Sequence, residues 1–126
     1  MNNIINTVEI NNENGVLTVS SLQIAENFEK EHRNVVQSIE NLTAENSAVK
    51  NLFIESTYIN ERGRSYKSYN ITRDGFSLLV MGFTGKKALE WKLKYIEAFN
   101  LMEKKIKELA IQQDSYMIEN PAERAR

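Results

Sequence analysis

The stretch SSLQIAENFEKEHRNVVQSIENL, residues 20–42, decides the fold class because it predicts two short amphipathic helices in succession. Apolar residues recur at helical spacing over residues 22–28 and again over residues 35–42, with a polar run between them. A small residue, Ala25, stands where the two helices would cross. The pattern predicts a helix-turn-helix over residues 21–42, and an αα-hairpin with a polar surface is the alternative interpretation.

The second of these helices would expose polar side chains near its N-terminal end. Arginine suits guanine, and asparagine or glutamine suits adenine, when a helix lies in the major groove of DNA. If the helix over residues 31–43 is a recognition helix, we expect base edges to be contacted by His32, Arg33, Asn34, Gln37 and Ser38.

A basic β-hairpin is predicted over residues 53–71. The segments FIESTYI (residues 53–59) and YKSYNI (residues 66–71) are rich in residues that favour strands, and a short polar loop separates them. The loop could act as a wing on DNA, and a solvated hairpin tip is the alternative. The side chains predicted to contact phosphates here are Arg62, Arg64 and Lys67.

Other elements flank these two. An N-terminal hairpin is predicted over residues 4–19, because Asn14-Gly15 tolerates the positive φ of a tight turn. Two helices are predicted at the other end, a short one over residues 73–82 and a long one over residues 86–110. Together these elements predict an α+β fold with a winged-helix-like arrangement.

The turn between the last two helices, GFTGKK at residues 82–87, superficially resembles a nucleotide-binding loop. Only two residues separate its glycines, and Lys87 stands where serine or threonine is required, which excludes nucleotide hydrolysis. A helix N-terminus followed by lysines can still hold a backbone phosphate, so Lys86 and Lys87 join the predicted phosphate contacts.

The long helix is apolar on two sides, which is typical of a helix shared with a partner. One side carries Leu89, Leu93 and Ile96. We predict a homodimer through the other side, with an interface formed by Trp91, Tyr95, Ala98, Met102 and Leu109.

Composition narrows the function classes. The 126 residues include no cysteine and one histidine, which argues against disulfides, thiolate metal sites and most metal-dependent hydrolases. No cofactor, no catalytic residue and no membrane span is expected. The net charge is −1, but the charged groups are unevenly distributed along the chain. Residues 1–61 hold three basic and nine acidic groups, residues 62–107 hold eleven basic and four acidic groups, and residues 108–126 hold two basic and four acidic groups. The basic middle segment is typical of a phosphate-binding surface.

Two stretches together resemble the phage regulatory protein Rha family. They are residues 20–42 and the segment TRDGFSLLVMGFTGKKA (residues 72–88), which is followed by KYIEAFN (residues 94–100). The resemblance extends over about residues 16–107. The matching positions are Lys30, His32, Asn34 and Val35 in the first stretch, and Asp74, Gly75, Phe76 and residues 81–87 in the second.

The resemblance implies a phage or prophage regulator that binds double-stranded DNA in the bacterial cytoplasm. An antirepressor that binds a repressor or host protein instead of DNA is the alternative. We expect a Rha-type DNA-binding domain over residues 1–111. Residues 112–126 would be a linker that leads to a separate C-terminal region, because Asn120-Pro121-Ala122-Glu123 has the pattern of a helix start; a frayed natural tail is the other possibility.

Overall fold

The computed structural model describes the backbone of residues 3–5 and 8–117 and the side chains of residues 8–110. In this part of the chain, strands and helices follow one another in an order close to the predicted one. The elements are β1 (Asn3–Ile5), β2 (Val8–Glu13), β3 (Val16–Ser20), α1 (Ser21–Asn27), α2 (His32–Glu45), a 3-10 helix (Ser47–Leu52), β4 (Phe53–Ile59), β5 (Ser65–Thr72), α3 (Arg73–Val80) and α4 (Lys86–Met117).

The strands form one antiparallel sheet in the order β1-β2-β3-β5-β4. The turn between β2 and β3 has positive φ at Asn14 and Gly15, as the Asn-Gly pair predicts. Strand β3 stops pairing with β5 at Ser20, opposite Asn70, because the chain turns there into α1. Strands β4 and β5 stay paired beyond that point, from Glu55 opposite Tyr69 to Ile59 opposite Ser65. This part of the hairpin, residues 55–69, extends past the sheet, and we call it the arm.

Helix α4 packs against β2 and β3, and its buried side closes the core. The rings of Phe76 on α3 and Tyr95 on α4 stack with centroids 4.7 Å apart. The Tyr95 hydroxyl accepts a hydrogen bond of 2.6 Å from the Asn27 side-chain amide, and burial raises the pKa of this tyrosine. These contacts fix the C-terminal end of α1 relative to α4. The predicted α+β class and the long C-terminal helix are confirmed.

The structure differs from the predicted elements chiefly at the end of α4 and in the 3-10 helix. Helix α4 continues to Met117, so residues 112–117, predicted as the start of a linker, are helical. No glycine or proline interrupts the sequence between residues 86 and 117, and therefore nothing forces the helix to stop earlier. The 3-10 helix was not predicted at all. The predicted helix start at residues 120–123 lies outside the described residues.

Candidate nucleic-acid interface

Helices α1 and α2 are joined by a turn of four residues that closes tightly. Ser20 caps α1, since its side chain accepts a hydrogen bond from the Leu22 N–H. At the other end the Lys30 N–H donates to the Ala25 carbonyl at 2.8 Å, while Glu29 adopts a φ of 57°. This is the Schellman arrangement, in which glycine usually occupies the left-handed position. A glutamate fills that position here, so the absence of glycine from the turn does not prevent the helix pair from forming.

Helix α2 has a buried side and a solvent side. Val35 and Ile39 are buried against the core, and the opposite side of the helix faces solvent. The solvent side carries Arg33, Gln37 and Asn41 at intervals of four residues, and all three are exposed. Arg33 and Gln37 were predicted to contact bases. Asn41 was not, although it is one turn beyond Gln37, and the Gln37 amide donates to its side-chain oxygen at 3.0 Å.

Three other predicted base contacts lie away from this solvent face. Asn34 is exposed and Ser38 half-buried on the flank of α2 beside Gly82 and Phe83, which line the same shallow cavity. His32 is half-buried and turned toward α1 and the arm. Arg33, Gln37 and Asn41 thus form an exposed outer row, in which Arg33 bonds to Glu31 and Gln37 bonds to Asn41. Asn34 and Ser38 lie on one flank of this row, and His32 lies on the other.

His32 connects α2 to both α1 and the arm. Its Nε2 atom is 2.8 Å from the hydroxyl of Ser21, and that hydroxyl accepts a hydrogen bond of 3.0 Å from the Tyr69 N–H. The imidazole ring also meets the Tyr58 ring edge-on, with centroids 5.5 Å apart. Burial lowers the pKa of His32 below its ordinary value, which favours the neutral ring in this setting. The geometry therefore assigns His32 a positioning role between three elements.

The arm is held against α2 by contacts on both of its faces. On one face, Lys67 Nζ is 3.1 Å from a carboxylate oxygen of Glu40 on α2 and 3.9 Å from one of Glu55 on β4. On the other face, the Tyr58 and Tyr66 rings lie 5.7 Å apart, and Tyr58 reaches His32. Sequence reasoning missed these tyrosines as site residues. The arm and α2 consequently form one surface with a fixed relative placement.

The tip of the arm is ordered by the side chain of Asn60. Its Oδ1 atom accepts hydrogen bonds of 2.9 Å from the backbone N–H groups of both Arg62 and Arg64. The Asn60 N–H in turn donates to the Arg64 carbonyl at 2.9 Å, and Gly63 has positive φ. The two arginine side chains are exposed on a turn whose backbone is held by hydrogen bonds.

The five predicted phosphate contacts fall into two groups. Lys67 is paired with Glu40 and Glu55, and Lys87 is paired with Glu29 of the turn between α1 and α2. The largest cause that raises the pKa of Lys67 is its hydrogen bond to Glu40, and the largest cause that raises the pKa of Lys87 is its hydrogen bond to Glu29. The remaining three, which form no ion pair within the described residues, are Arg62, Arg64 and Lys86.

The side chains predicted for a dimer interface lie mostly inside the chain. Tyr95 and Ala98 are 0% exposed and Met102 is 4% exposed, because this side of α4 covers the sheet. Trp91 is half-buried, with Lys94 over its ring, and Leu109 alone of the five is largely exposed. Tyr95, Ala98 and Met102 are therefore unavailable to a partner.

Nothing in the described side chains has the arrangement of a metal centre: no three histidine or acidic groups come together as ligands would. The helices of the described residues also include none that is long and apolar enough to cross a membrane. The surface formed by α2 and the arm offers polar side chains and positively charged side chains for binding.

Comparison with known proteins gives the chain a family. The sequence profile of the family described as phage regulatory protein Rha matches residues 19–104, which include α1, α2, the arm, α3 and much of α4. No solved structure matches the chain.

Three relatives have a similar level of identity. A Haemophilus influenzae protein is 35% identical over 115 residues, covering 88% of this chain and 62% of its own length. YoqD of Bacillus subtilis, named as an SPbeta prophage-derived antirepressor, is 34% identical over 117 residues, covering 90% of this chain and 47% of its own length. A 22.8 kDa protein from the gp15-gp3 intergenic region of Salmonella phage P22 is 33% identical over 111 residues, 86% of this chain and 54% of its own length.

The chain thus spans about half to two thirds of the length of these relatives. The match nevertheless runs through nearly all of the described elements, and it includes both segments that carried the resemblance in the sequence, residues 20–42 and 72–88. This chain belongs to the phage regulatory protein Rha family.

Proposed function

We propose that this chain is a phage or prophage regulatory domain that binds double-stranded DNA through helix α2 and the β4–β5 arm. In this proposal α2 lies in the major groove, and the arm acts as a wing on the adjacent backbone or minor groove. The observation that carries the proposal is the solvent face of α2, a row of Arg33, Gln37 and Asn41, held next to an arm that ends in two arginines.

The row on α2 has the chemistry of base recognition. Arginine can donate two hydrogen bonds to guanine, and glutamine and asparagine can pair with adenine through both a donor and an acceptor. Arg33 pairs with Glu31 at 2.7 Å in the free chain, and 82% of its side chain is exposed, so exchange of that partner for a base costs little. We therefore replace the predicted set of base contacts by Arg33, Gln37 and Asn41, with Asn34 and Ser38 at the edge.

The arm has the chemistry of backbone recognition. Arg62 and Arg64 extend from a turn whose backbone is already ordered, so binding orders little beyond the side chains themselves. Lys86 supplies a further cation at the start of α4. Lys67 and Lys87 contribute only after release from their carboxylate partners, which makes them weaker candidates for phosphate contacts.

The experiment is selection of bound duplexes from a random double-stranded pool, followed by titration of the selected duplex by fluorescence anisotropy. We expect one enriched sequence, and a triple variant Arg33→Ala, Gln37→Ala, Asn41→Ala that loses affinity for it by about 10- to 100-fold. The variant Arg62→Ala, Arg64→Ala should weaken binding to all duplexes and reduce the salt slope by about two per copy.

A matched control is the variant Lys104→Ala, Lys105→Ala, which removes two exposed cations of α4 that lie 18 and 19 residues after Lys86, the first residue of that helix. It loses the same formal charge as the arm variant. Equal effects of the two variants, or no enriched sequence in the selected pool, would contradict the proposal.

A second candidate function is binding to a repressor protein. The name of the Bacillus subtilis relative favours it, as does the acidic first half of this chain, where residues 1–61 hold three basic and nine acidic groups. Co-purification of a repressor with the chain, together with no retention on duplex DNA, would establish this alternative. Both candidates are binding functions without a catalysed reaction, and both would operate in the bacterial cytoplasm.

A further inference from the structure

Helix α4 has an apolar surface on the side that faces away from its own core. Leu89 is 56% exposed, Leu93 is 58% exposed and Ile96 is 43% exposed. The opposite side of the same helix carries Tyr95 and Ala98, which are 0% exposed. The exposed residues form one patch, because they follow each other at steps of four and three along the helix. Patches of large apolar side chains on a surface indicate a binding site for another protein.

The spacing of this patch is that of a coiled-coil seam. The steps of four and three continue by four more residues to Asn100, which is exposed on the same side of the helix. The same steps lead next to the charged residues Glu103 and Lys107, so Asn100 ends the apolar part of the seam. An asparagine in such a seam favours a register in which it faces another polar side chain. We call the residues Leu89, Leu93, Ile96 and Asn100 the outer stripe of α4.

The charges that flank the outer stripe determine which partner and which direction fit. One flank carries Glu90 and Glu97, and the other carries Lys92 and, seven residues later, Phe99, which is buried in the core of its own chain. In a parallel pair of identical helices, a residue on the second flank lies near the residue five positions later on the first flank of the other copy. Lys92 of each copy then lies near Glu97 of the other. An antiparallel pair would place Glu90 of one copy near Glu97 of the other, which is repulsive.

We propose that the outer stripe of α4 binds a second copy of this chain, with the two α4 helices parallel and Asn100 beside Asn100 of the second copy. The proposal does not depend on DNA binding, since it concerns a different face of the molecule. It replaces the interface expected from sequence, whose central residues are buried in the core. A symmetric dimer would also present two α2 helices related by a twofold axis.

Sedimentation equilibrium at micromolar concentrations tests the assembly. We expect the wild-type chain to be a dimer and Leu93→Lys to weaken dimerisation by at least about tenfold. The matched control is Leu101→Lys, because Leu101 is 45% exposed but lies outside the outer stripe. Circular dichroism confirms that each variant is folded. A monomeric wild type, or equal effects at the two leucines, would overturn the proposal.

Cysteine crosslinking tests the direction, and the natural chain contains no cysteine to complicate it. With parallel helices, Asn100→Cys alone should form a disulfide-linked dimer under mild oxidation, whereas Leu101→Cys should crosslink far less. An antiparallel pair would instead require the double variant Leu89→Cys, Asn100→Cys. Crosslinking of the double variant without crosslinking of the single one would overturn the parallel arrangement.

Charge reversal tests the flanks. Lys92→Glu alone and Glu97→Lys alone should each weaken the dimer, and the double variant Lys92→Glu, Glu97→Lys should restore most of the loss, because the pair is re-formed with its charges exchanged. Failure of the double variant to recover would contradict the assigned contact between Lys92 and Glu97 and, with it, the parallel dimer.

Discussion

Two glycines of the segment TRDGFSLLVMGF, both part of the family resemblance, have opposite surroundings. A Cβ atom at Gly75 would lie 2.6 Å from the Leu52 carbonyl oxygen and 3.1 Å from the Phe53 ring. A Cβ atom at Gly82 would meet nothing within 4 Å. Gly75 is therefore required because α3 approaches the backbone at the end of the 3-10 helix, whereas space imposes no such requirement at Gly82.

We predict that Gly75→Ala destabilises the fold by about 1 to 3 kcal/mol, because a backbone oxygen cannot rotate away from the added methyl group. Gly82→Ala serves as the control, and it should change the free energy of unfolding by less than about 0.5 kcal/mol. Urea denaturation of the two variants measures both values. Equal destabilisation by the two substitutions would contradict the assigned role of Gly75.

The stability of the chain should depend on pH through His32. Burial lowers the pKa of His32 in the folded chain from its ordinary value of 6.5, so the unfolded chain binds a proton more readily than the folded chain. Stability is fully present above 6.5 and declines as the pH falls from there to the lowered folded-state pKa. Urea midpoints between pH 7.5 and 5.5 should show this decline in the wild type, and a flatter curve in His32→Gln. Parallel curves would contradict the prediction.

The sequence identified part of the candidate site at residue level. Arg33 and Gln37 were found because polar residues on an amphipathic helix are visible as a pattern, and the same spacing extended by one turn leads to Asn41. The pairing of Lys67 with Glu40 could not be found, because 27 residues separate them and no local pattern links them. The same holds for His32, whose partners Ser21 and Tyr58 come from two other elements.

At the scale of elements, the turn between α1 and α2 contains a residue, Glu29, whose backbone conformation can be tested by substitution. Glu29 adopts a φ of 57°, which costs a non-glycine residue about 1 kcal/mol, whereas its ion pair with Lys87 joins two exposed side chains and contributes little. We predict that Glu29→Gly leaves the chain as stable as the wild type or more stable, while Glu29→Val destabilises it.

The matched variant for that test is Lys87→Ala, which removes the ion pair but keeps the glutamate in the turn. It should be no more stable than Glu29→Gly in thermal unfolding. A loss of more than about 1 kcal/mol in Glu29→Gly would show that the side chain of Glu29, rather than its backbone, determines the stability of the turn.

The arm and α2 behave as one element in this structure, and Glu40 lies where they meet. We predict that Glu40→Gln tightens binding of the selected duplex by about two- to fivefold, because it removes a negative charge near the phosphates and releases Lys67 for them. Anisotropy titration measures the change. Glu13→Gln, which removes the same charge at the distant β2–β3 turn, should have little effect. Weaker binding in Glu40→Gln would contradict the proposed placement of DNA.

The elements were predicted well where the pattern is local. The Asn-Gly turn, the two short helices and the arm all follow from spacing within a dozen residues. The sequence did not show which side of α4 faces the core, because the helix has two apolar sides and both follow the helical period. The position of the sheet decides between them, and it depends on contacts between α4 and strands that lie more than 60 residues earlier in the chain.

For the molecule as a whole, we propose two separate surfaces: α2 and the arm bind DNA, and a different face of α4 pairs two copies. The net charge of −1 conceals a different division, along the chain: basic groups are concentrated over residues 62–107, which include the arm tip and much of α4, and acidic groups over residues 1–61, which include α2. The curated relatives are longer than this chain, and the family match contains α2, the arm and much of α4.

A nuclear magnetic resonance titration of the ¹⁵N-labelled chain with the selected duplex tests whether α2 and the arm bind DNA. We predict that the largest shifts of backbone amide signals fall on α2 around Arg33, Gln37 and Asn41 and on the arm tip at residues 60–64. The amides of the outer stripe of α4 should shift little. Shifts concentrated elsewhere, or none at a concentration that saturates binding by anisotropy, would contradict the claim that α2 and the arm form the DNA-binding surface.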